Sequence, residues 1–245
     1  MATTNQLPVD ANTLALFHLD GTAGTAAKTD NAQGTAARDL NETGSPASGT
    51  GQITPTTDGA YNLNGSSMYL TGNDDAAYDG TTNFSIEFWV NFDVTTDDKQ
   101  PVAKFGATTA TNQSWRAITV SSKLVFQIGD GSTVGDITPT STFSTGQWYY
   151  YAFTFDGSQS AGSRGKVYIN GNDATSSDTT PSTILAGSAS FMVGNRTGLP
   201  AGGYFDGLID EIRISNNTRT ATEIYNYYND ITPGTGNAMF MGANF

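Results

Sequence analysis

The sequence predicts an all-β fold, a two-sheet antiparallel β-sandwich with a short C-terminal helix. Residues 83–93, NFSIEFWVNFD, alternate between large apolar and other side chains, so one face of this strand must pack against a facing sheet. The apolar face comprises Phe84, Ile86, Phe88, Val90 and Phe92. Charged residues make up only 14% of the chain, and Gly, Thr, Ser, Ala and Asn fill the gap, which is typical of many short strands joined by polar turns.

Length and charge limit the function classes. A chain of 245 residues is long enough to bury a substantial core as one sandwich domain. The net charge of −12, with eleven basic residues, argues against nucleic acid and anionic membranes as partners. It suits either cation binding or solubility alone. The chain has no cysteine and no apolar run of membrane-spanning length, so we expect neither disulfides nor membrane insertion.

The N-terminal third combines one strand with a long loop. Residues 1–11 are predicted to be a loose arm, and the alternating stretch TLALFHLD, which ends at the turn signal Asp20-Gly21, is the first strand. His18, the single histidine, lies among apolar residues and is expected to be a packed core group rather than a base or ligand. Residues 21–59 contain almost no large apolar side chain and predict a long loop with one short strand.

Two Asn-Gly pairs predict tight hairpins, at Asn64-Gly65 and at Asn170-Gly171, because both residues accept the positive φ of a type I′ turn. Several short alternating stretches lie between these pairs. Trp89 lies opposite the apolar face of its strand, where packing under a loop is favoured over a role as a sugar platform.

A last strand and a clamping helix close the domain. On the strand, alternation places Asp210 with Ile212 on one face and Glu211 on the other. Thr220 and Glu223 then have capping-box spacing, which predicts the start of a helix. Its apolar face comprises Ile224, Tyr227 and Tyr228. The tail 231–245 is apolar and rich in Gly, and we expect it to dock on a neighbouring subunit or, alternatively, on its own sandwich.

The closing stretch resembles that of laminin-G-like, concanavalin A-like jelly-roll domains of the bacterial and viral type. The matching residues are Phe205, Gly207, Ile209, Asp210, Glu211, Arg213, Ile214, Glu223 and Ile224. Similar matches upstream include NFSIEFWV, WYYYAFTFDG and the turn Gly194-Asn195-Arg196. The resemblance implies a concanavalin A-like jelly roll over residues 12–230. It says little about function, because that fold carries lectins, glycan-binding modules, glycosidases, lyases and structural subunits.

The sequence predicts no catalytic centre, so we expect a protein that is not an enzyme. Alternation puts Asp210 and Glu211 on opposite faces, which would prevent them from acting as a glycosidase pair. A Ser-His-Asp arrangement would have to use His18, and metal-binding His or Cys spacing is absent.

Two binding sites are expected. The resemblance implies a structural Ca²⁺ where the two ends of the domain meet, with Asp20 and Asp210 on the matching stretches and Asp30 as a weaker third ligand. Glycan binding requires an aromatic face together with amide and guanidinium donors. The candidates near loops are Trp115, Arg116, Asn195, Arg196 and Tyr204, although each has a structural alternative.

Three functions follow in order of preference. The first is a non-enzymatic virion surface protein, a capsid decoration or tail-associated subunit, that adheres to cell-surface glycans and assembles with itself or with other virion subunits. The N-terminus lacks a basic and apolar signal pattern, which suits a protein released by lysis, although a shortened sequence would look the same. The second is a carbohydrate-binding module of an extracellular, secreted enzyme or adhesin, and the third is a glycoside hydrolase or lyase.

Overall fold

The structure, a computed structural model, describes residues 6–20, 39–52, 59–79, 82–107, 109–198 and 203–231. Its strands are β1 (Thr13–Phe17), β2 (Asn41–Thr43), β3 (Ala47–Thr50), β4 (Gly59–Asn64), β5 (Tyr69–Thr71), β6 (Asn83–Phe92), β7 (Val102–Phe105), β8 (Gln113–Val120), β9 (Lys123–Gly129), β10 (Val134–Pro139), β11 (Trp148–Asp156), β12 (Gly165–Ile169), β13 (Asn172–Asp173), β14 (Thr175–Asp178), β15 (Met192–Val193) and β16 (Asp206–Ser215). The helices are a 3-10 turn (Ala76–Tyr78), α1 (Thr109–Asn112) and α2 (Ala221–Ile231).

Within these residues the strands form two antiparallel sheets, which confirms the predicted sandwich. The first sheet has the order β13-β12-β11-β6-β16-β4-β3, and β1 pairs with the second half of β16. The second sheet has the order β14-β10-β9-β8-β7-β15-β5-β2. The strand at 83–92 therefore lies near the middle of the first sheet, between β11 and β16.

The core lies between the sheets and uses the predicted face of β6. Phe84, Ile86, Phe88, Val90 and Phe92 are all buried there. The second sheet contributes aromatic rings to the same core, such as that of Phe126, whose centroid lies 4.7 Å from the ring of Phe153. The prediction that this face holds the two sheets together is confirmed.

A second apolar cluster covers the outer face of the first sheet. Trp89 is buried against Tyr150 and Ile224, and its ring stacks on Tyr228 of α2 at 5.8 Å. The predicted capping box starts this helix, because Thr220 N donates to Glu223 Oε2 at 2.7 Å and Glu223 N donates to Thr220 Oγ1 at 3.2 Å. Trp89 is therefore a packing residue, as expected, but its cover is a helix rather than a loop.

Residues 6–12 do not form the loose arm that we expected for 1–11. Leu7 is buried in the outer cluster, and the carbonyl of Pro8 accepts a hydrogen bond from Arg213 Nη1 at 3.0 Å. Asp10 pairs with the buried guanidinium of Arg219 at 2.7 Å. Alternation alone could not reveal this, because the partners lie about 200 residues away along the chain.

Buried charges hold this cover in place. Glu87 Oε2 lies 2.6 Å from Arg213 Nη2 and 3.1 Å from Arg219 Nε, and all three side chains are inaccessible to solvent. Burial acts to lower the pKa of Arg213, but the Glu87 carboxylate outweighs it and raises that pKa above its ordinary value. The network links β6, β16 and the start of α2 to the N-terminal segment.

One of the two predicted hairpins is confirmed. Asn170 and Gly171 have φ values of 50° and 80° and join β12 to β13. Ile169 at the end of β12 pairs with Asn172 at the start of β13. The prediction at Asn64-Gly65 is wrong, because β4 and β5 belong to different sheets. There Asn64 Oδ1 accepts from the backbone N–H groups of residues 66–68, which turns the chain across the edge of the sandwich. The predicted docking segment 231–245 lies outside the described residues, except for Ile231 at the end of α2.

Candidate functional site

A hollow of about 330 Å³ lies on the outer side of the second sheet, at the junction of β5, β15 and the chain segments that flank them. Its lining residues are Tyr69, Thr71, Ser190, Met192, Asn195, Arg196, Thr197, Gly198 and Tyr204. Three of the predicted glycan-binding residues, Asn195, Arg196 and Tyr204, are thus brought together.

Strand pairing explains the floor of this hollow. Leu70 pairs with Val193 and Thr71 with Met192, and since side chains alternate, Leu70 and Val193 enter the core while Thr71 and Met192 point outward. The chain then turns at Gly194, whose φ is 82° and where an added Cβ would lie 2.4 Å from a side-chain carbon of Leu63. Glycine is required at this turn, and the turn carries the next two residues to the wall of the hollow.

An aromatic pair and an amide form the wall. The half-buried rings of Tyr69 and Tyr204 lie 6.0 Å apart at an interplanar angle of 44°. Asn195 is 5% exposed, and its Oδ1 has no hydrogen-bond partner among the described residues. Leaving a buried polar atom unpaired costs about 1–3 kcal/mol. A sugar hydroxyl that reached this amide would remove that cost.

Two arginines lie beside the hollow. The guanidinium carbon of Arg116 is 4.2 Å from the centroid of the Phe105 ring, and that of Arg196 is 5.9 Å from the same centroid. Arg196 lines the hollow and donates from Nη1 to the carbonyl of Gly106 at 2.9 Å. Arg116 does not line it, but Arg116 pairs in register with Ala103 and Ala103 with Met192, so it belongs to the same cross-strand row.

Trp115 has to be removed from the predicted glycan site. It is fully buried in the core, its ring lies 5.2 Å from that of Phe84, and its Nε1 donates to the carbonyl of Tyr78 at 3.0 Å. It precedes Arg116 on β8 and therefore points to the opposite face of the sheet. An aromatic ring in this position has no surface to offer to a sugar.

Several lining residues were not predicted from the sequence, Tyr69 above all. The available signal was the alternation in the segment MYLT, where Tyr69 and Thr71 flank the apolar Leu70 and so must face outward. The incorrect hairpin at Asn64-Gly65 placed this segment in the wrong sheet. Met192 and Thr197 gave no signal, because only the pairing of β5 with β15 brings them to the hollow.

A second cluster joins the two ends of the domain. One ligand atom each from Asp20, Asp210 and Glu211 lie within 4.8 Å of one another. The prediction that Asp210 and Glu211 lie on opposite faces is wrong, because β16 contains a bulge: its register with β6 shifts between Asp210 and Arg213, and Glu211 has a φ of 50°. As a result, Asp210 lies on the outer face of the sheet rather than on the predicted apolar face, and it pairs in register with Trp89 on the neighbouring strand.

The contacts of Glu211 fix its orientation. Its Oε1 lies 2.6 Å from Nδ1 of His18, and its Oε2 accepts from the backbone N–H of Leu7 at 2.8 Å. Burial raises the pKa of Glu211 above its ordinary value, although the contact with His18 acts in the opposite direction. His18 is thus half-buried and bonded to a carboxylate rather than packed among apolar groups. Asp30, the third predicted Ca²⁺ ligand, lies outside the described residues.

The donor set fits a hard cation better than glycoside hydrolysis. Ca²⁺ binds oxygens at about 2.3–2.6 Å, so two ligands of one ion lie at most about 5 Å apart, and ligand atoms that all lie within 4.8 Å of one another satisfy this limit. A retaining glycosidase also needs carboxyl groups about 5–5.5 Å apart, but they must flank an open cleft. Asp210 and Glu211 are completely buried, so they present no such cleft within the described residues.

Comparisons with known proteins agree with this fold. A family model described as the concanavalin A-like lectin/glucanases superfamily matches residues 64–225. Domain 4 of AbnA, a GH43 extracellular arabinanase from Geobacillus stearothermophilus solved in complex with arabinotriose, is 23% identical with a TM-score of 0.67, over 89% of this chain and 98% of that one. No curated protein matches the sequence.

Toxin binding domains have the same architecture. One similar structure is of botulinum neurotoxin type C, a toxin whose cell entry depends on interaction with two ganglioside molecules. It is 14% identical with a TM-score of 0.63, over 90% of this chain and 51% of that one. The binding domain of Paraclostridial Mosquitocidal Protein 1 is 15% identical with a TM-score of 0.62, over 89% and 52%. The chain thus spans about half the length of these toxin domains. In the described part of the chain, no helix has the length and apolar character needed to cross a membrane.

Proposed function

Because this chain belongs to the concanavalin A-like lectin/glucanases superfamily, we propose that it is a non-catalytic carbohydrate-binding domain whose site is the hollow on the second sheet. The observation that carries this proposal is the convergence of Tyr69 and Tyr204 with Asn195 and Arg196 around one hollow of about 330 Å³. Aromatic faces contact the apolar side of a sugar ring, and the amide and guanidinium groups bind its hydroxyls.

The position of the carboxylates supports binding rather than hydrolysis. The buried pair Asp210 and Glu211 lies on the first sheet, whereas the hollow lies on the second. A substrate in the hollow would therefore not reach these two acids. The similar structures include binding domains of toxins and one domain of an arabinanase, which is compatible with a module that binds without cleaving.

Alanine substitutions of the two tyrosines test the site. We expect Tyr69→Ala and Tyr204→Ala each to weaken binding to hits from a glycan array that includes arabinotriose. The loss should be at least about twofold to tenfold, since an aromatic contact contributes about 0.5–1.5 kcal/mol beyond its buried area. Tyr225→Ala is the matched control, because Tyr225 is 46% exposed on α2. Binding that is equally insensitive to all three substitutions would place the site elsewhere.

We also propose that Asp20, Asp210 and Glu211 hold a structural Ca²⁺. When bound, the ion would neutralise carboxylates that burial and mutual repulsion otherwise destabilise. We expect added Ca²⁺ to raise the melting temperature of chelator-treated protein, and Asp20→Asn to abolish most of that increase. Asp173→Asn, on an exposed hairpin, is the control. A melting temperature that does not respond to Ca²⁺, with no heat in calorimetry, would refute the site.

The biological setting stays a prediction. The sequence favours a virion surface, with assembly to itself or to other virion subunits, and the similarity to an arabinanase domain supports the alternative of a module in a secreted enzyme or adhesin. Mass spectrometry of purified particles and of the culture supernatant from the native source distinguishes these settings. Light scattering of the full chain measures self-association.

A further inference from the structure

The two half-buried arginines beside the hollow differ from the two fully buried arginines that the structure describes. Arg213 and Arg219 have carboxylate partners at 2.6 and 2.7 Å, in Glu87 and Asp10. Arg116 and Arg196 form no ion pair within 4.0 Å with any of the described residues. The fold therefore neutralises the two fully buried guanidinium groups and leaves Arg116 and Arg196, like the half-buried Arg164 elsewhere, without a bonded counter-charge.

Neutral groups hold the unpaired guanidiniums. Arg116 donates from Nε to Gln127 Oε1 at 2.7 Å and from Nη1 to Gln100 Oε1 at 3.3 Å. Arg196 donates from Nη1 to a backbone carbonyl, whereas its buried Nε has no hydrogen-bond partner among the described residues. Both side chains are oriented, so little conformational entropy would be lost when a ligand binds.

Electrostatics favour an anion at this position. Burial lowers the pKa of Arg116 to about 10, and the neighbouring positive charge of Arg196 contributes, while the more distant carboxylates of Asp98 and Asp136 oppose the shift. Burial also lowers the pKa of Arg196. A positive charge that has lost water without gaining a counter-charge is destabilised, and an anionic ligand would relieve that cost.

We propose that the hollow binds a saccharide that carries an anionic group, a carboxylate or a sulfate ester, with Arg196 as the contacting residue. A guanidinium presents two parallel N–H donors that match the two oxygens of either group. Arg116 is a positioning residue, which shares the Phe105 face with Arg196 and adds positive potential. Tyr69 and Tyr204 would stack on the sugar ring. This inference rests on the proposed carbohydrate-binding function and specifies its ligand class.

Matched pairs of sugars test the charge requirement. The probes are trigalacturonate with its methyl ester, 3′-sialyllactose with its carboxyl methyl ester, and 6-sulfated with unsulfated N-acetyllactosamine, each titrated by calorimetry into the full chain. We expect at least one anionic sugar to bind at least about tenfold more tightly than its neutral counterpart, because hydrogen bonds between charged groups are stronger than those between neutral groups. The pairs distinguish a carboxylate from a sulfate ester.

Charge-removing variants locate the effect. Arg196→Gln should lower affinity for the anionic member about tenfold and affinity for the neutral member by clearly less, because glutamine can still hydrogen-bond a hydroxyl but carries no positive charge. Arg116→Gln should produce a smaller loss of about threefold, since it acts through potential. Lys166→Gln removes one positive charge from a side chain of the first sheet that is 44% exposed, and it should change neither affinity. Melting temperatures of all variants identify any loss that arises from unfolding.

The outcomes separate this inference from the proposed function. Equal binding of the anionic and neutral members, lost in Tyr204→Ala, would overturn the anionic inference and leave the carbohydrate-binding proposal standing. An anionic preference that persists in folded Arg196→Gln would also overturn it, because the anion would be bound elsewhere. No binding by any of these probes or any sugar on the array would overturn both.

Discussion

Replacement of Glu87 by glutamine is the sharpest test of how the outer face of the first sheet is closed. Glutamine has nearly the same shape as glutamate, so Glu87→Gln removes the charge but leaves the packing almost unchanged. The carboxylate oxygen Oε2 lies 2.6 Å from Arg213 Nη2, 2.7 Å from Arg213 Nε and 3.1 Å from Arg219 Nε. The substitution would leave Arg219 with the carboxylates of Asp10 at 2.7 Å and Glu223 at 3.9 Å, and Arg213 with no ion pair among the described residues.

The magnitude follows from the burial of this network. Breaking a buried ion pair from one side costs about 3–5 kcal/mol, because the remaining charge stays buried without compensation. In a chain of this size, each kcal/mol lowers the melting temperature by about 2–4 °C. We therefore expect Glu87→Gln to melt about 6–20 °C below the wild type.

Differential scanning calorimetry measures this shift, and Asp173→Asn supplies the matched control. Asp173 and Lys166 form an ion pair at 3.5 Å in which both side chains are more than 40% exposed, at 46% and 44%. An exposed pair of this kind contributes about 0–1 kcal/mol, so the control should fall by less than about 4 °C. If Glu87→Gln melts within about 2 °C of the wild type, the charges of this network do not hold the cover in place.

Two further predictions concern acid and the turn at the hollow. The pKa of Asp10 is held below its ordinary value, because the hydrogen bonds and charge of Arg219 outweigh the opposing effect of burial. A lowered folded-state pKa gives stability that is present above about pH 4 and is lost as the pH falls below it. In calorimetric scans between about pH 5 and pH 2.5, the wild type should therefore lose more stability than Asp10→Asn. Parallel stability curves for the two proteins would contradict this prediction. Gly194→Ala should lower both the melting temperature and sugar affinity, because the new Cβ would meet Leu63 at 2.4 Å. Gly146 has a similar φ of 73°, and a Cβ added there would meet no atom within 4 Å. Gly146→Ala should therefore show only the smaller cost of the backbone conformation. Equal effects of the two substitutions would refute the role of the clash with Leu63.

Local patterns in the sequence were sufficient for most single elements. The face of β6, the capping box at Thr220 and the hairpin at Asn170 each depend on residues within a few positions of one another, and each is confirmed. The resemblance in the closing stretch supplied the fold. In contrast, the Asn64-Gly65 pair satisfied the same turn rules as Asn170-Gly171 but joins two different sheets, which no local signal specifies.

The bulge in β16 explains why the carboxylate cluster was only partly predictable. Strict alternation assigns Asp210 and Glu211 to opposite faces, and a single extra residue reverses every later assignment along the strand. Ile209 before the bulge and Ile212 after it therefore both face the core, three residues apart. The resemblance indicated Asp20 and Asp210 as ligands. The position of Glu211 in the cluster depends on its positive φ of 50°, which the local sequence does not predict.

The distribution of polar groups over the two sheets indicates where a ligand can bind. On the first sheet, α2 and residues 6–12 bury Trp89 and Tyr150, and each buried arginine there already has a carboxylate partner. On the second sheet, the outward positions of β5 and β15 form a hollow lined by half-buried tyrosine rings, where the buried atoms Asn195 Oδ1 and Arg196 Nε have no hydrogen-bond partner among the described residues. Unpaired buried polar atoms cost free energy, and a ligand that reached those beside an open hollow would recover part of that cost. Ligand binding on this domain is therefore expected on the second sheet. A saccharide complex in which the sugar contacts α2 or residues 6–12 instead would reverse that assignment.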